Sequence, residues 1–238
     1  MPARRTPPAL RRPPRRCDDP RAMASRRGRA RVPSWWAAAA LLAPAAACGP
    51  SPTGVDIAPI DVSLPPEQTA VESPEPIRVS DGGWEFTITP LAAYVLRGVV
   101  LSREDYAWGW NGRLAPCDVA MAWGDLARDD GWRRLEWSQS GRWYFWRWSG
   151  APPFPSATVV RNSSNTHVVP ADPNLRRAAR SLAEGDVAEL SGALVRIEGR
   201  NGAERVEWRS SLSRVDSGDG SCELLYLRKL RVDGKVYE

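Results

Sequence analysis

The chain of 238 residues carries 33 Lys and Arg against 28 Asp and Glu, a formal charge of +5 with 42% hydrophobic residues. The isoelectric point near 9.3 invites a nucleic-acid reading, but 11 of the basic residues precede Cys48 against two acids, and from Cys48 onward 22 basic face 26 acidic residues. A domain that neutralises phosphates needs a net basic balance or a basic stripe, so the distribution argues against a nucleic-acid partner.

Residues 1–22, MPARRTPPALRRPPRRCDDPRA, are rich in Pro and Arg and hold almost nothing to bury, so they cannot pack a core. The simplest expectation is that translation starts at Met23 and that this stretch is a non-native extension. The alternative is a basic arm left in the cytoplasm. Residues 23–47 read as a secretory signal. Arg26, Arg27, Arg29 and Arg31 form a positive n-region, and the 13 residues from Trp35 to Ala47 carry no charge. That run suits a signal peptide and is shorter than the ~20 residues a spanning helix needs.

The run ends in Ala45-Ala46-Ala47 directly before Cys48. This resembles the lipobox of bacterial lipoproteins, with Ala45 where Leu is usual. The resemblance implies that the Cys48 thiol is acylated and becomes the new N-terminus. Gly49 in the following position implies sorting to the outer membrane in a cell with two membranes, with the body outside the cytoplasm. A plain secreted protein cut before Cys48 is the alternative.

Residues 48–80 are expected to be a lipid-anchored, Pro-rich linker. Prolines 50, 52, 59, 65, 66, 74 and 76 interrupt it, and about 30 such residues in polyproline-like extension would reach ~90 Å. Residues 81–238 are expected to form one β-rich globular domain. Trp84, Phe86 and Ile88 alternate with polar residues, the period of a half-buried strand. The following AAYVLRGVVLS continues as a strand with Gly98 at a bulge or bend. Cys117 to Ala127 fits a short helix capped by Asp118 and equally an alternating strand. In LEWSQSGRWYFWRWSG, Tyr144, Trp146 and Trp148 point one way and Trp143, Phe145 and Arg147 the other. Strands are predicted at 157–162 and 165–169, around a turn at Asn162-Ser163-Ser164-Asn165. Asp172 to Glu184 is the clearest helix, with Asp172 as N-cap, Pro173 at the first position and Gly185 as terminator. A strand with a bend at Gly192, a hairpin at Asn201-Gly202 and further strands complete the chain. Strands, one helix, then a hairpin and strands is the order of an oligonucleotide/oligosaccharide-binding (OB) barrel. The expected fold is therefore mainly β, an OB-like barrel with one helix and extra strands, with a two-sheet β-sandwich as the alternative.

The succession SQSGRWYFW, SNTHVVPA, GDVAELSGALV and WRSSLSRVDSGDGSCELLYL resembles an uncharacterised family of exported or membrane-associated bacterial proteins, from about Phe86 to Leu227. The resemblance implies a shared domain and no known activity.

Cys117 and Cys222 remain as an even pair for an oxidising compartment. A disulfide between them would close about 100 residues and contribute ~4–5 kcal/mol in the chain-entropy model; two separately buried thiols are the alternative. His167 is the sole histidine. With Ser163, Ser164, Asp216 and Asp219 it would make a hydrolase in which it is the general base, although no nucleophile-elbow pattern surrounds either serine. One His and two Cys make a poor zinc set, and no cofactor is implied. The candidate ligand-binding residues are Trp143, Trp146, Arg142, His167, Trp208 and Arg214, with Trp108, Trp110, Arg147 and Arg209 beside them. Tryptophan faces stack on sugar rings, and ten tryptophans after Cys48 are many for packing alone; the alternative is that they fill the core. The expected function is a lipid-anchored cell-envelope module that binds an envelope polymer or a protein partner without catalysis. The alternative is an envelope hydrolase using His167.

Overall fold

The structure, a computed structural model, describes residues 49–213 and 222–238. The signal segment, Cys48, Arg214, Asp216 and Asp219 lie outside the described residues. In chain order the elements are β1 (Gly54–Val55), β2 (Glu67–Ala70), β3 (Ile77–Asp81), β4 (Trp84–Asp105), α1 (Gly109–Leu114), β5 (Cys117–Ala122) and α2 (Gly124–Ala127). A 3-10 segment (Arg128–Arg134) leads to β6 (Glu136–Ser140), β7 (Trp143–Arg147), α3 (Ser156–Arg161), β8 (Ser163–Pro170) and α4 (Pro173–Ser181). The chain then forms β9 (Val187–Asn201), β10 (Glu204–Arg209), β11 (Glu223–Val232) and β12 (Lys235–Tyr237). The protein is mainly β, as the alternation predicts, but the expected single helix is joined by three short ones, α1 to α3.

Ten strands share one sheet, and β6–β7 is a separate hairpin. β4 pairs with β5, β5 with β8, β8 with β11, β11 with β9, and β9 with β4; only β8–β11 is parallel. The sheet thus bends far enough for β11 to meet β9, without closing into a regular barrel. One buried cluster draws Tyr94, Leu96, Val119, Met121, Val168, Leu190, Leu194, Leu225 and Leu227 from all five of these strands. Leu175, Ala178, Ala179 and Leu182 of the α4 region pack into the same cluster. Two further clusters lie on the other side of the strands, one around Phe86, Ile88 and Leu224 and one around Leu101, Leu126 and Trp132.

A bulge in β4 distributes its side chains between these clusters. The register against β9 shifts between Pro90 and Ala92, so Leu91 is an extra residue, and Pro90 sits at a bulge that tolerates its missing N–H. Before it, even-numbered Trp84, Phe86 and Ile88 join one cluster; after it, even-numbered Ala92, Tyr94 and Leu96 join the other. Gly98 is not the bulge the sequence suggests. A Cβ there would stand 2.5 Å from the Ala122 carbonyl oxygen, so Gly98 allows two backbones to approach closely.

Of the two forms open to Cys117 to Ala127, Cys117 to Ala122 takes the strand, and α2 follows it. Other expectations are corrected. Residues 157–162 are helical because Pro155 starts a turn whose carbonyl accepts from Thr158 N at 2.8 Å. The turn-prone Asn-Ser-Ser-Asn opens β8 instead, since tertiary partners take its polar groups: Ser163 Oγ donates to the Val159 carbonyl and Asn165 Nδ2 to the Arg142 carbonyl. α4 begins as predicted, with Asp172 Oδ1 accepting from the N–H groups of Asn174 and Leu175. It ends at Ser181, ahead of Gly185, because Leu182 turns extended into the core and Arg103 Nε takes its carbonyl at 2.9 Å.

The disulfide is absent: Cys117 and Cys222 both hold thiols. Cys117 faces Val168, and Val168 faces Leu225, three residues beyond Cys222. An odd offset places the two side chains on opposite faces, and three residues plus two strand spacings amount to roughly 13 Å, beyond disulfide reach. Burial pushes the Cys117 thiol up to about 12.

The expected free linker is also corrected from Gly49 onward. Gly54 and Val55 pair with Val236 and Lys235, β2 pairs with β4 at Val95 to Ala92, and β3 pairs with β4 at Ile88 to Trp84. None of the seven prolines falls inside β1, β2 or β3. They punctuate three short strands that pair along edges, where proline-rich chain is compatible with a sheet.

Gly192 gives a test of the β9–β11 contact. A Cβ there would lie 2.0 Å from the Tyr226 carbonyl oxygen, beside the register shift between Leu227 and Lys229. Gly192→Ala is expected to lower stability by about 2–3 kcal/mol. Gly54→Ala, whose Cβ would meet nothing nearer than 3.7 Å, should leave the urea midpoint unchanged.

Candidate functional site

Strand pairing assembles the site. Asp118 of β5 stands opposite His167 of β8, and His167 stands opposite Leu224 of β11. Asp118 is fully buried and His167 is 5% exposed. His167 Nδ1 lies 2.9 Å from Asp118 Oδ1, close but not aligned as a hydrogen bond. Nε2 makes no hydrogen bond among the described residues and is the ring nitrogen not sealed from solvent. Asp118 Oδ2 is buried without a partner.

The third member arrives from the β6–β7 turn. Gly141 and Arg142 both have positive φ, 61° and 76°, the geometry of a tight hairpin turn. Glycine adopts it freely; arginine there is strained by about 1–3 kcal/mol. Four contacts hold it. Arg142 Nη1 donates to Asp118 Oδ1 at 2.7 Å and to the Ala115 carbonyl at 3.0 Å. Its backbone N–H donates to the Tyr106 hydroxyl at 2.9 Å, and its carbonyl accepts from Asn165 Nδ2 at 3.0 Å. The guanidinium also lies 3.7 Å above the Tyr106 ring centre, a cation–π contact. Burial, followed by the nearby Asp118 charge, holds the Tyr106 hydroxyl well above the usual tyrosine range.

Around this group lies a cleft of about 250 Å³ lined by Trp110, Asn111, Arg142, Trp143, His167 and Trp208, with Cys222, Glu207 and Arg209 beside them. The Trp208 ring stands 4.9 Å from the His167 ring and 5.9 Å edge-on to Trp110. Trp110 in turn packs on Trp84 and Phe86, so the aromatic wall is continuous with the core. A smaller cavity of about 80 Å³ adjoins through Trp143 and Cys222 and includes Tyr144, Ser163, Ser164 and Asn165. Burial is the first cause that pushes the Tyr144 hydroxyl up to about 12.

Of the predicted residues, Arg142, Trp143, His167 and Trp208 come together here. Trp146 does not: it packs with Trp137 and Tyr144 against the cluster around Leu126 and Trp132. Trp108 is 89% exposed, and Arg147 pairs with Glu136 outside the cleft. Arg214 and Cys48 lie outside the described residues. Ser163 is four residues before His167 along β8, roughly 13 Å away in extended chain, and its Oγ donates to the Val159 carbonyl. Ser164 points to the opposite face. Neither hydroxyl is brought to His167. Sequence reasoning missed Asp118 as a site residue, offering it only as the cap in one of two alternatives for 117–127. Among the described residues no group of three His, Cys, Asp or Glu side chains is placed to hold a metal ion.

Comparison with protein-family models, curated proteins and solved structures gives no match.

Two outcomes test this geometry. Asp118→Ala strands Arg142 in a half-sealed site and should cost about 3–5 kcal/mol, read as a lower urea midpoint. Spectroscopic titration should show the Tyr106 and Tyr144 hydroxyls ionising above the ordinary tyrosine range. The raised Tyr144 value has a definite sign: its contribution to stability is complete below pH 10 and is lost as pH climbs toward about 12.

Proposed function

We propose that this chain is a lipid-anchored cell-envelope protein, acylated at Cys48 and facing outside the cytoplasm, whose body is a non-catalytic binding module for an envelope polymer. In a cell with two membranes the anchor sits in the outer one. The body is an OB-like barrel. What supports the barrel is the pairing order of β4, β5, β8, β9 and β11, the parallel β8–β11 pair, and α4 inserted between β8 and β9. OB barrels are partly open and bind oligonucleotides or oligosaccharides on the face of their second and third strands, framed by the first-to-second and fourth-to-fifth loops. Here β5 and β8 supply Asp118 and His167, the β4–β5 connection supplies Trp110 and Asn111, and the β9–β11 connection supplies Trp208 and Arg209.

The observation that carries the binding reading is the wall of Trp110, Trp143 and Trp208 around one cleft. Indole faces present a large apolar area with one polar edge, which suits sugar rings. From Cys48 on the chain is net −4, which favours a glycan over a nucleic acid.

One observation favours the hydrolase reading. A carboxylate beside Nδ1 with Nε2 open to a cleft is how a general base is oriented. Ser163 and Ser164, the hydroxyls the sequence offers it, stand away from His167, which weighs against it.

The test is sedimentation of the purified protein with insoluble peptidoglycan, with palmitate labelling of the cells. Binding is expected, with Trp208→Ala and Trp110→Ala weakening it about tenfold each, a loss of about 1.4 kcal/mol. Cys48→Ser should abolish labelling. His167→Asn should leave binding within about threefold, under 1 kcal/mol. Soluble fragments released by the native protein but not by His167→Asn would overturn the non-catalytic reading.

A further inference from the structure

The segment that follows Cys48 is pinned to the body within three residues. Ser51 N donates to Asn174 Oδ1 at 2.8 Å, and Asn174 Nδ2 donates back to the Ser51 carbonyl at 2.7 Å. Thr53 N donates to the Val236 carbonyl at 2.7 Å, and β1 continues the ladder to Lys235. Arg231 pairs with Asp56 and donates through Nη2 to the Ala58 carbonyl at 3.0 Å. Further along, Gly124 N donates to the Val62 carbonyl at 2.8 Å. A chain so held has no free length to extend. From Ser51 back to Cys48 the covalent backbone spans at most ~11 Å.

The surface beside this attachment has two features that suit a lipid headgroup layer. Val55 is 77% and Ile57 86% exposed, apolar side chains on a strap that offers them nothing to cover. Ile57 borders the Gly234 turn, and Asn174, which holds Ser51, opens α4 with Arg176 and Arg177 directly after it. Lys235 pairs with Val55 and adds a further cation. Asp56, Asp172, Asp233 and Glu238 are the acids nearby; Asp56 is paired with Arg231, Asp172 caps α4, and Glu238 is partly offset by Lys229 at 3.6 Å.

We propose that residues 49–58 are a docking strap that seats the body directly on the bilayer surface, with Val55 and Ile57 in the interface and Arg176, Arg177 and Lys235 over anionic headgroups. This rests on the reading that Cys48 carries lipid. A lipid anchor at one residue holds the body at the membrane without orienting it, and an interfacial apolar or basic contact beside it would do so. The strap would supply that contact and fix the orientation of the module. The hairpin tip at Ala203 then points away, since β9 runs from Ala188, level with Val232, to Asn201, roughly 40 Å of strand.

Spin labels at Ile57→Cys and, separately, at Ala203→Cys test it, in full-length protein carrying Cys222→Ser; Cys117 is sealed from labelling. The processed proteins are reconstituted in vesicles of phosphatidylethanolamine and phosphatidylglycerol, and palmitate incorporation is measured on the same samples. With palmitate present, the Ile57 label should show an oxygen-to-nickel accessibility ratio at least about threefold above that at Ala203, as for a residue set into the interface. Palmitate present with equal, aqueous ratios at both sites would overturn the strap and leave the anchor standing. No palmitate on the protein would remove the anchor, and the strap proposal with it.

Discussion

A carboxylate sealed from water must be answered by positive charge or hydrogen-bond donors, and Asp118 imposes that constraint on its surroundings. It is fully buried near the start of β5. Arg142 reaches over from a separate hairpin to supply that answer, while the cross-strand neighbour His167 stands with Nδ1 2.9 Å from Oδ1 without an aligned hydrogen bond. The hairpin is thereby tied to the main sheet at its turn, in a backbone conformation that arginine does not choose on its own. Trp208 and Tyr106 close around the guanidinium at 5.4 and 3.7 Å. The cleft exists because this charge group lies beneath it: aromatic rings cover the ions without displacing the water-accessible edge of His167.

Much of the scaffold is legible in the sequence because its signals are local. The helix at α4 announces itself through Asp172 and Pro173, and the start of β4 through alternation of Trp84, Phe86 and Ile88 with polar residues. The errors occur where tertiary contacts overrule local preference. Asn162 to Asn165 has turn chemistry, yet its polar side chains find partners on Arg142 and Val159, so the backbone is released to pair as β8. Leu91 is invisible as a bulge because nothing in a run of apolar residues marks which one is extra; Gly98 draws attention instead and serves a different purpose.

The candidate site divides in the same way. Tryptophans, an isolated histidine and nearby arginines stand out by type, and Arg142, Trp143, His167 and Trp208, with Trp110 and Arg209 beside them, do meet in the cleft. Trp146 does not, because alternation in β7 sends Tyr144 and Trp146 together into the core face. Asp118 was legible in principle: once 117–122 is taken as a strand, it is the one charged residue in a run otherwise fit for burial on both faces. The Pro-rich stretch misleads for another reason. Proline density forbids helix and central strands, but it leaves short edge strands between prolines, and whether these find an edge depends on the rest of the fold.

The account turns on whether Asp118 and Arg142 act as one unit. A double-mutant cycle in urea denaturation, with Asp118→Ala, Arg142→Ala and the double variant, measures this directly. Dependence of the hairpin turn on the buried carboxylate gives a coupling energy of about 2 kcal/mol or more. Additive effects, with coupling within about 0.5 kcal/mol of zero, would contradict it.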